Sequence, residues 1–185
     1  MTPAPSSHVG TLSRGSRETA IQEQLSVLYV LAEKSPHVFG SPLGPFRLRG
    51  ERYHLPRFVY FGPNSADDAV RLAIYAGVDG TDERGSRALA QFVERLARTP
   101  HLGHGLNLSF FPLVNPSGHA FSTPRNLHAV DLAAENWEDS EEREIALLRQ
   151  DARVRGYHGF IRLESATHDV IHARINSSHA GLVLK

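Results

Sequence analysis

The chain has 185 residues, of which 20 are basic, 20 are acidic and none is cysteine. A chain of this length can bury on the order of 70% of its unfolded surface, so it is long enough for one domain with a substantial core. The balanced charge leaves no net field that would attract nucleic acid or anionic lipid. The absence of cysteine excludes disulfide bonds and thiolate metal ligands.

Residues 1–16 are rich in Pro, Ser, Thr and Gly, which predicts a flexible N-terminal arm ahead of a single domain over residues 17–185. The arm lacks the apolar core of a secretion signal, and no apolar stretch approaches the ~20 residues that a membrane helix needs. We therefore expect a cytoplasmic protein that contacts neither a membrane nor nucleic acid.

The first third of the chain predicts one helix and one strand. Apolar residues recur at helical spacing within residues 17–34, at Ile21, Leu25, Leu28 and Ala32. Residues 36–56 carry many turn-forming residues, so this segment is expected to wind across the surface. The aromatic and β-branched residues 57–61 then predict the first strand.

The middle of the chain predicts a strand, a helix and a second strand. Residues 72–78 are almost continuously apolar, which suits a strand that is covered on both faces. Thr81 or Asp82 can cap the next helix, which is expected to end near Pro100. Residues 106–114 read as another strand, followed by a turn.

The last third predicts a further helix and up to three strands. Asp139 and Glu142 are spaced as a capping pair at the start of the helix. Strands are expected at 159–164, 170–175 and 181–184. The alternation of strands and helices predicts an α/β fold, with a mostly parallel or mixed sheet and helices on both faces.

Polar residues follow three of the predicted strands, at Asp79, Asn115 and Glu164. Because sites in such folds gather at the carboxyl ends of strands, Asp79, Asp82 and Glu164 are expected to face one volume. Carboxylate oxygens suit Mg²⁺, Mn²⁺ or Ca²⁺ better than Zn²⁺. A simpler interpretation is also open, in which Asp82 caps a helix and Asp79 stabilises a turn.

Histidines offer a second candidate metal site. His168 and His172 lie four residues apart and would share one face of a helix. The surrounding Val170 and Ile171 indicate a strand instead, where positions four apart are separated by about 13 Å. Surface histidines are therefore the simpler interpretation of this pair.

The order of the motifs over residues 57–175 resembles that of the zinc carboxypeptidases of the M14 family. It is most similar to the branch shared with succinylglutamate desuccinylase and aspartoacylase. The resemblance implies a zinc-carboxypeptidase-like, phosphorylase/hydrolase-like fold, shortened at the C-terminus. Its motifs are Ala-Gly-Val-Asp-Gly-Thr-Asp-Glu at 76–83, Pro-Leu-Val-Asn-Pro-Ser-Gly at 112–118, Arg125-Asn126, Val-Asp-Leu at 130–132, and Trp137.

The zinc-binding motifs of the family are altered in this chain. The resemblance places the family's first two ligands, a His and a Glu, at Asp79 and Asp82. The third ligand, a His at the end of a later strand, matches Glu164 in Leu163-Glu164-Ser165. All three positions hold carboxylates, so the resemblance implies a degenerate site that binds no zinc or holds another divalent cation.

The resemblance also locates the substrate-binding positions. Arg125 matches the arginine that polarises the scissile carbonyl, so it is the catalytic candidate, and Arg125 with Asn126 are the substrate-binding candidates. The family's Asn and Arg anchors match Ala133 and Ala134, which cannot bind a carboxylate through their side chains. No counterpart of the general-base glutamate precedes Lys185.

Three hypotheses follow about function. The first is a pseudoenzyme: an M14-like domain that has lost catalytic zinc and peptidase activity and binds a small molecule or a peptide, with no cofactor. The second is an active metal-dependent hydrolase, a carboxypeptidase or an N-acyl amino acid deacylase, with zinc or another divalent cation in a carboxylate-rich site. The third is a chain whose sheet edge is completed in a homo-oligomer or by a partner subunit.

Overall fold

The computed structural model describes residues 14–66 and 68–165. The helices are α1 (Arg14–Lys34), α2 (Glu83–Arg98), α3 (Pro116–Ala120) and α4 (Arg143–Arg155). The strands are β1 (Val38–Gly40), β2 (Leu43–Leu48), β3 (Glu51–Leu55), β4 (Phe58–Phe61), β5 (Val70–Tyr75), β6 (Leu106–Phe111) and β7 (Gly159–Arg162). Within these residues, no helix combines the length and the apolar character needed to cross a membrane.

Five strands form one mixed sheet in the order β1-β4-β6-β5-β7, and β2 pairs with β3 in a separate hairpin. β5 runs parallel to both β6 and β7, so that Ile74 lies opposite Phe110 and Ile161. β1 and β4 are antiparallel to their neighbours. The predicted α/β fold with a mixed sheet is confirmed.

The sheet buries a separate apolar core on each face, because successive side chains of a strand point to opposite sides. Phe58, Phe110 and Ile74 face α1 and α2, whose buried side chains include Leu25, Leu28, Leu89, Val93 and Leu96. On the other face, Phe111 and Tyr75 pack against the β2–β3 hairpin and α4, which bury Phe46, Leu48, Tyr53, Leu55, Ile145 and Leu148. The predicted helices on both faces are confirmed.

The expected surface segment at residues 36–56 was wrong, because this segment forms β1 and the β2–β3 hairpin. The signal was alternation: Phe46 and Leu48 on β2, and Tyr53 on β3, are buried while their neighbours are exposed. The two strands are joined at Arg49 and Gly50, which have positive φ angles of 47° and 82°. Glycine adopts such angles readily, so turn residues here connect strands.

Several predicted boundaries were wrong as well. α1 begins at Arg14, so residues 14–16 of the predicted arm are helical, and the remainder of the arm lies outside the described residues. β5 ends at Tyr75, because the chain turns at Gly77, where φ is +60°. β6 likewise ends at Phe111, before the predicted end of its strand.

The predicted capping pair at the start of α4 was also wrong. Glu142 is the N-cap residue and its side chain makes no cap hydrogen bond. Asp139 instead accepts a hydrogen bond from Nδ2 of Asn136, at 2.8 Å. The strands predicted at 170–175 and 181–184, and the pair His168 and His172, lie outside the described residues.

Candidate functional site

The candidate site begins in the turn between β5 and α2. Asp79 Oδ1 accepts hydrogen bonds from the backbone N–H of Thr81 at 2.7 Å and from its hydroxyl at 2.6 Å. Asp82 is the N-cap of α2, and its Oδ1 accepts from Gly85 N at 2.9 Å. Such side-chain acceptors satisfy N–H groups that have no partner inside the helix. The turn and cap roles predicted for these two aspartates are therefore confirmed.

Asp82 also joins this turn to the segment that follows β7. The Ser165 backbone N–H donates to Asp82 Oδ2 at 3.0 Å, and the Ser165 hydroxyl donates to Asp82 Oδ1. Three donors thus converge on a carboxylate that offers about four lone-pair positions. Ser165 and Asp82 are 83 residues apart, so this contact fixes two distant parts of the chain to each other.

An open cavity of about 510 Å³ lies beside this contact. Of the described residues that line it, Arg84 is basic and four are acidic, namely Asp79, Asp82, Glu83 and Glu164. Glu164 is half-exposed and forms an ion pair with Arg162. The fold therefore brings the three predicted metal-site residues to one cavity of acidic character.

These residues do not fit a catalytic zinc. A catalytic zinc site keeps three protein ligands directed at one point, usually with histidine nitrogens among them. Here Asp82 already accepts three hydrogen bonds and Glu164 is paired with Arg162. Within the described ranges, no group of three or more His, Asp or Glu side chains is arranged to hold a metal ion.

Arg125 and Asn126 do not line this cavity. Arg125 is exposed, and its guanidinium donates to the carbonyl of Ala129 at 3.1 Å. Asn126 is buried, and its Oδ1 accepts from the N–H groups of His128 at 3.0 Å and Val130 at 3.1 Å. The side chain of Asn126 thus holds its own loop together.

We define the Arg125 loop as residues 123–131 and the acidic turn as residues 76–82, between β5 and α2. The loop packs directly against this turn. Gly80 N donates to the carbonyl of Pro124 at 3.4 Å. A Cβ atom at Gly80 would lie 2.4 Å from the Thr123 carbonyl oxygen and 2.6 Å from His119 N, far inside van der Waals contact. Position 80 therefore requires glycine for close approach, and the loop and the turn are in contact through backbone atoms.

Sequence reasoning did not identify Ser165, Glu83 or Arg84 as site residues. Glu83 was noted only as the last residue of the motif at 76–83, and Arg84 was not singled out. Ser165 was part of the motif matched to the third ligand, and its position next to Glu164 was the available signal. Its bond to Asp82 depends on the packing of β7 beside β5, which the local sequence does not reveal.

The fold is similar to that of solved metallo-carboxypeptidases. The enzyme from Burkholderia cenocepacia matches with a TM-score of 0.61 and 17% sequence identity, over 76% of this chain and 39% of that chain. The metallo-carboxypeptidase from Pseudomonas aeruginosa, solved in complex with (2-guanidinoethylmercapto)succinic acid, gives a TM-score of 0.54 and 17% identity over 82% and 39%.

The chain spans about two fifths of the length of these solved structures. No family profile matches the chain, and no curated protein matches its sequence. The likeness therefore establishes a carboxypeptidase-like fold, as the sequence resemblance implied. Activity, substrate and metal content depend on the site itself.

Proposed function

We propose that this domain is a non-catalytic member of the M14-like carboxypeptidase fold, and that its acidic cavity binds a cationic small molecule or peptide. The observation that carries the proposal is the hydrogen bonding of Asp82. Both of its oxygens accept from Gly85 or Ser165, so the strand end and the turn are held together without a metal ion.

The charge of the cavity supports the ligand class. Four carboxylates and one guanidinium give the described part of the lining a net negative charge. An amino or guanidinium group can donate several hydrogen bonds to such a lining, whereas a ligand carboxylate would be repelled. The open, solvent-exposed shape of the cavity implies modest affinity that weakens as salt is added.

The ligand class is tested by calorimetric titration with two compounds that share a guanidinium group. Agmatine carries no carboxylate, whereas (2-guanidinoethylmercapto)succinic acid carries two. We expect agmatine to bind more tightly, because the carboxylates of the second compound meet a negative lining. Preferred binding of the succinic acid compound would contradict the proposal.

Two variants with the same change in charge localise the binding. Asp79→Asn removes one carboxylate from the cavity, and Glu138→Gln removes an exposed carboxylate outside it. We expect Asp79→Asn to weaken agmatine binding about fivefold, since an exposed charge pair contributes up to about 1 kcal/mol. An equal effect of Glu138→Gln would place the binding elsewhere.

The second candidate is the active hydrolase, which is favoured by the shared fold and by the position of Asp79, Asp82 and Glu164 around one cavity. Metal analysis of the purified protein after incubation with Zn²⁺ or Mn²⁺ separates the two candidates. The second proposal would replace the first if the protein bound metal that Asp79→Ala does not bind, and if it cleaved a C-terminal peptide bond or an N-acyl amino acid. We expect neither.

The third candidate, assembly through a sheet edge, has a separate basis. Among the described residues, β7 is the last strand of the five-stranded sheet, and its Phe160 and Ile161 are 53% and 42% exposed. Unpaired strand edges with apolar side chains favour association with another chain. Light scattering over a range of concentrations tests this candidate, and a single monomeric species would count against a homo-oligomer.

A further inference from the structure

Glu144 is a buried carboxyl group at the start of α4 that the proposed function does not use. Its side chain has 0% exposure. Within the described part of the chain, neither of its oxygens has a hydrogen-bond partner. A charged group in such surroundings is costly, so burial favours the neutral form of Glu144.

The start of α4 is also where the Arg125 loop is attached. Asn126 Nδ2 donates to Glu142 Oε2 at 2.7 Å, and His128 Nδ1 lies 3.1 Å from the same oxygen. Glu142 thus accepts from two residues of the loop, and Glu144 is buried two residues further along. The pKa of Glu144 responds to Glu142, Asn126 and His128, so its carboxyl group lies close to the point where the loop is attached.

The same loop contacts the acidic turn through its other end. Pro124 accepts from Gly80 N and also from Asn115 Nδ2, at 3.1 Å. Leu127 N donates to the hydroxyl of the buried Ser117 at 3.2 Å. The loop therefore spans from Glu142 to the turn that carries Asp79 and Asp82.

We propose that the Arg125 loop is a pH-sensitive latch, in which ionisation of the buried Glu144 loosens the attachment of the loop to Glu142 and so frees its packing at Gly80. Glu144, which changes charge, lies on α4, whereas the segment that moves is the Arg125 loop. The proposal does not depend on what the acidic cavity binds.

The direction of the pH effect follows from the charges around Glu144. Burial, acting in the same direction as the Glu142 carboxylate, raises the pKa of Glu144 from 4.5 to about 7, against the opposite effects of a backbone hydrogen bond, Asn126 and His128. Glu142, from the start of the same helix, and His128, from the loop, are the charged or titratable groups acting on it. A carboxyl with a raised pKa stabilises the attached state fully below pH 4.5, and this contribution is lost as pH rises through 7.

Amide hydrogen exchange measured by NMR tests the latch. The N–H groups of His128 and Val130 donate to Asn126 Oδ1 and report directly on the loop. We expect their protection, corrected for intrinsic exchange, to fall by about tenfold per pH unit between about pH 5 and 7, and to level off above pH 7. Glu144→Gln, which cannot ionise, should show no such slope.

Two controls exclude other sources of the slope. Histidine also changes charge in this range, so His128→Gln should retain the slope if Glu144 is responsible. The buried residues Leu89 and Val93 in α2 should show no slope if the opening is local. A slope that persists in Glu144→Gln, disappears in His128→Gln, or is equal in α2 would overturn the proposal.

A measurement on the unaltered protein keeps the test valid if Glu144→Gln does not fold. The side-chain carboxyl carbon of Glu144 can be titrated by NMR alongside the Val130 amide signal. We expect both to change with one midpoint near pH 7. A Glu144 midpoint below about pH 5.5, or a loop signal that changes at a different pH, would overturn the latch.

Discussion

A buried ion pair joins Arg57, the residue before β4, to α4. The side chains of Arg57 and Asp151 are each 6% exposed and form a salt bridge. Arg57 Nε also donates to the Ser41 carbonyl at 2.8 Å, and the Tyr157 hydroxyl donates to Asp151 Oδ2 at 2.6 Å. Burial and this hydrogen bond to Asp151 raise the pKa of Tyr157, so its hydroxyl remains a donor. Arg57, Asp151, Ser41 and Tyr157 thus form one hydrogen-bonded cluster around a buried ion pair.

Removing one charge of this pair is expected to be strongly destabilising. Arg57→Met leaves the buried Asp151 carboxylate with only the more distant Arg155, whose Nε lies 3.8 Å from Oδ1, so we expect the free energy of unfolding to fall by about 3 kcal/mol. Arg98→Ala is the matched control, since Arg98 pairs with Glu94 on the surface and should cost less than about 1 kcal/mol. Urea unfolding measures both, and equal losses would contradict the assignment of a buried, energetically important pair.

At the scale of elements, the acidic turn depends on backbone contacts with two other segments. A Cβ atom at position 80 would collide with backbone atoms of Thr123 in the Arg125 loop and of Gly118 and His119 in α3. Asn115 caps α3 by accepting from Gly118 N at 2.7 Å and donates to Pro124. The acidic turn, α3 and the Arg125 loop therefore meet through backbone atoms at Gly80. This close approach leaves no room for a larger residue at position 80.

Gly80→Ala is expected to disrupt this packing. The added methyl group would lie 2.4 Å from a backbone oxygen, so the turn or the loop must move, and we expect a loss of about 1–3 kcal/mol in unfolding free energy. Gly40→Ala is the control, because its nearest neighbour, the Ala32 side chain, is 3.8 Å away. Urea unfolding followed by circular dichroism measures both variants. A loss at Gly80 no larger than that at Gly40 would contradict the close packing.

At the scale of the whole molecule, one sheet separates two cores. Phe110 and Phe111 are neighbours on β6 and both are fully buried, yet each belongs to a different core. Trp137, the only tryptophan, packs against the core that contains Phe111, which we call the second core, and its ring centroid lies 5.4 Å from that of Tyr75. Because both cores depend on the same strands, loss of either one should remove the support of the other.

Phe110→Ala and Phe111→Ala test whether the two cores unfold together. Each substitution is expected to lower the free energy of unfolding by about 3–5 kcal/mol, through lost burial and the cavity left behind. In both variants, the unfolding midpoint from Trp137 fluorescence should coincide with that from circular dichroism. A fluorescence midpoint unaffected by Phe110→Ala would show that the second core folds independently.

The sequence predicted those elements whose signals are local. The strand at 57–61, the helix capped by Asp82 and the alternation of strands with helices were identified from residues adjacent along the chain. The β2–β3 hairpin was missed because its turn residues suggested a surface segment, and the burial of Phe46 and Leu48 depends on α4. Capping of α4 was misassigned because Glu142 instead binds Asn126 and His128.

The sequence by itself determined where the candidate site lies, because Asp79 and Glu164 follow strands that run parallel and must end at the same edge of the sheet. Only the tertiary structure decided what those carboxylates do. Asp82 accepts hydrogen bonds from Ser165 across 83 residues, and Glu144 is fully buried although it lies only two residues after the N-cap of α4. Hydrogen bonding and desolvation between distant segments depend on the packed fold, whereas periodicity and capping are properties of neighbouring residues.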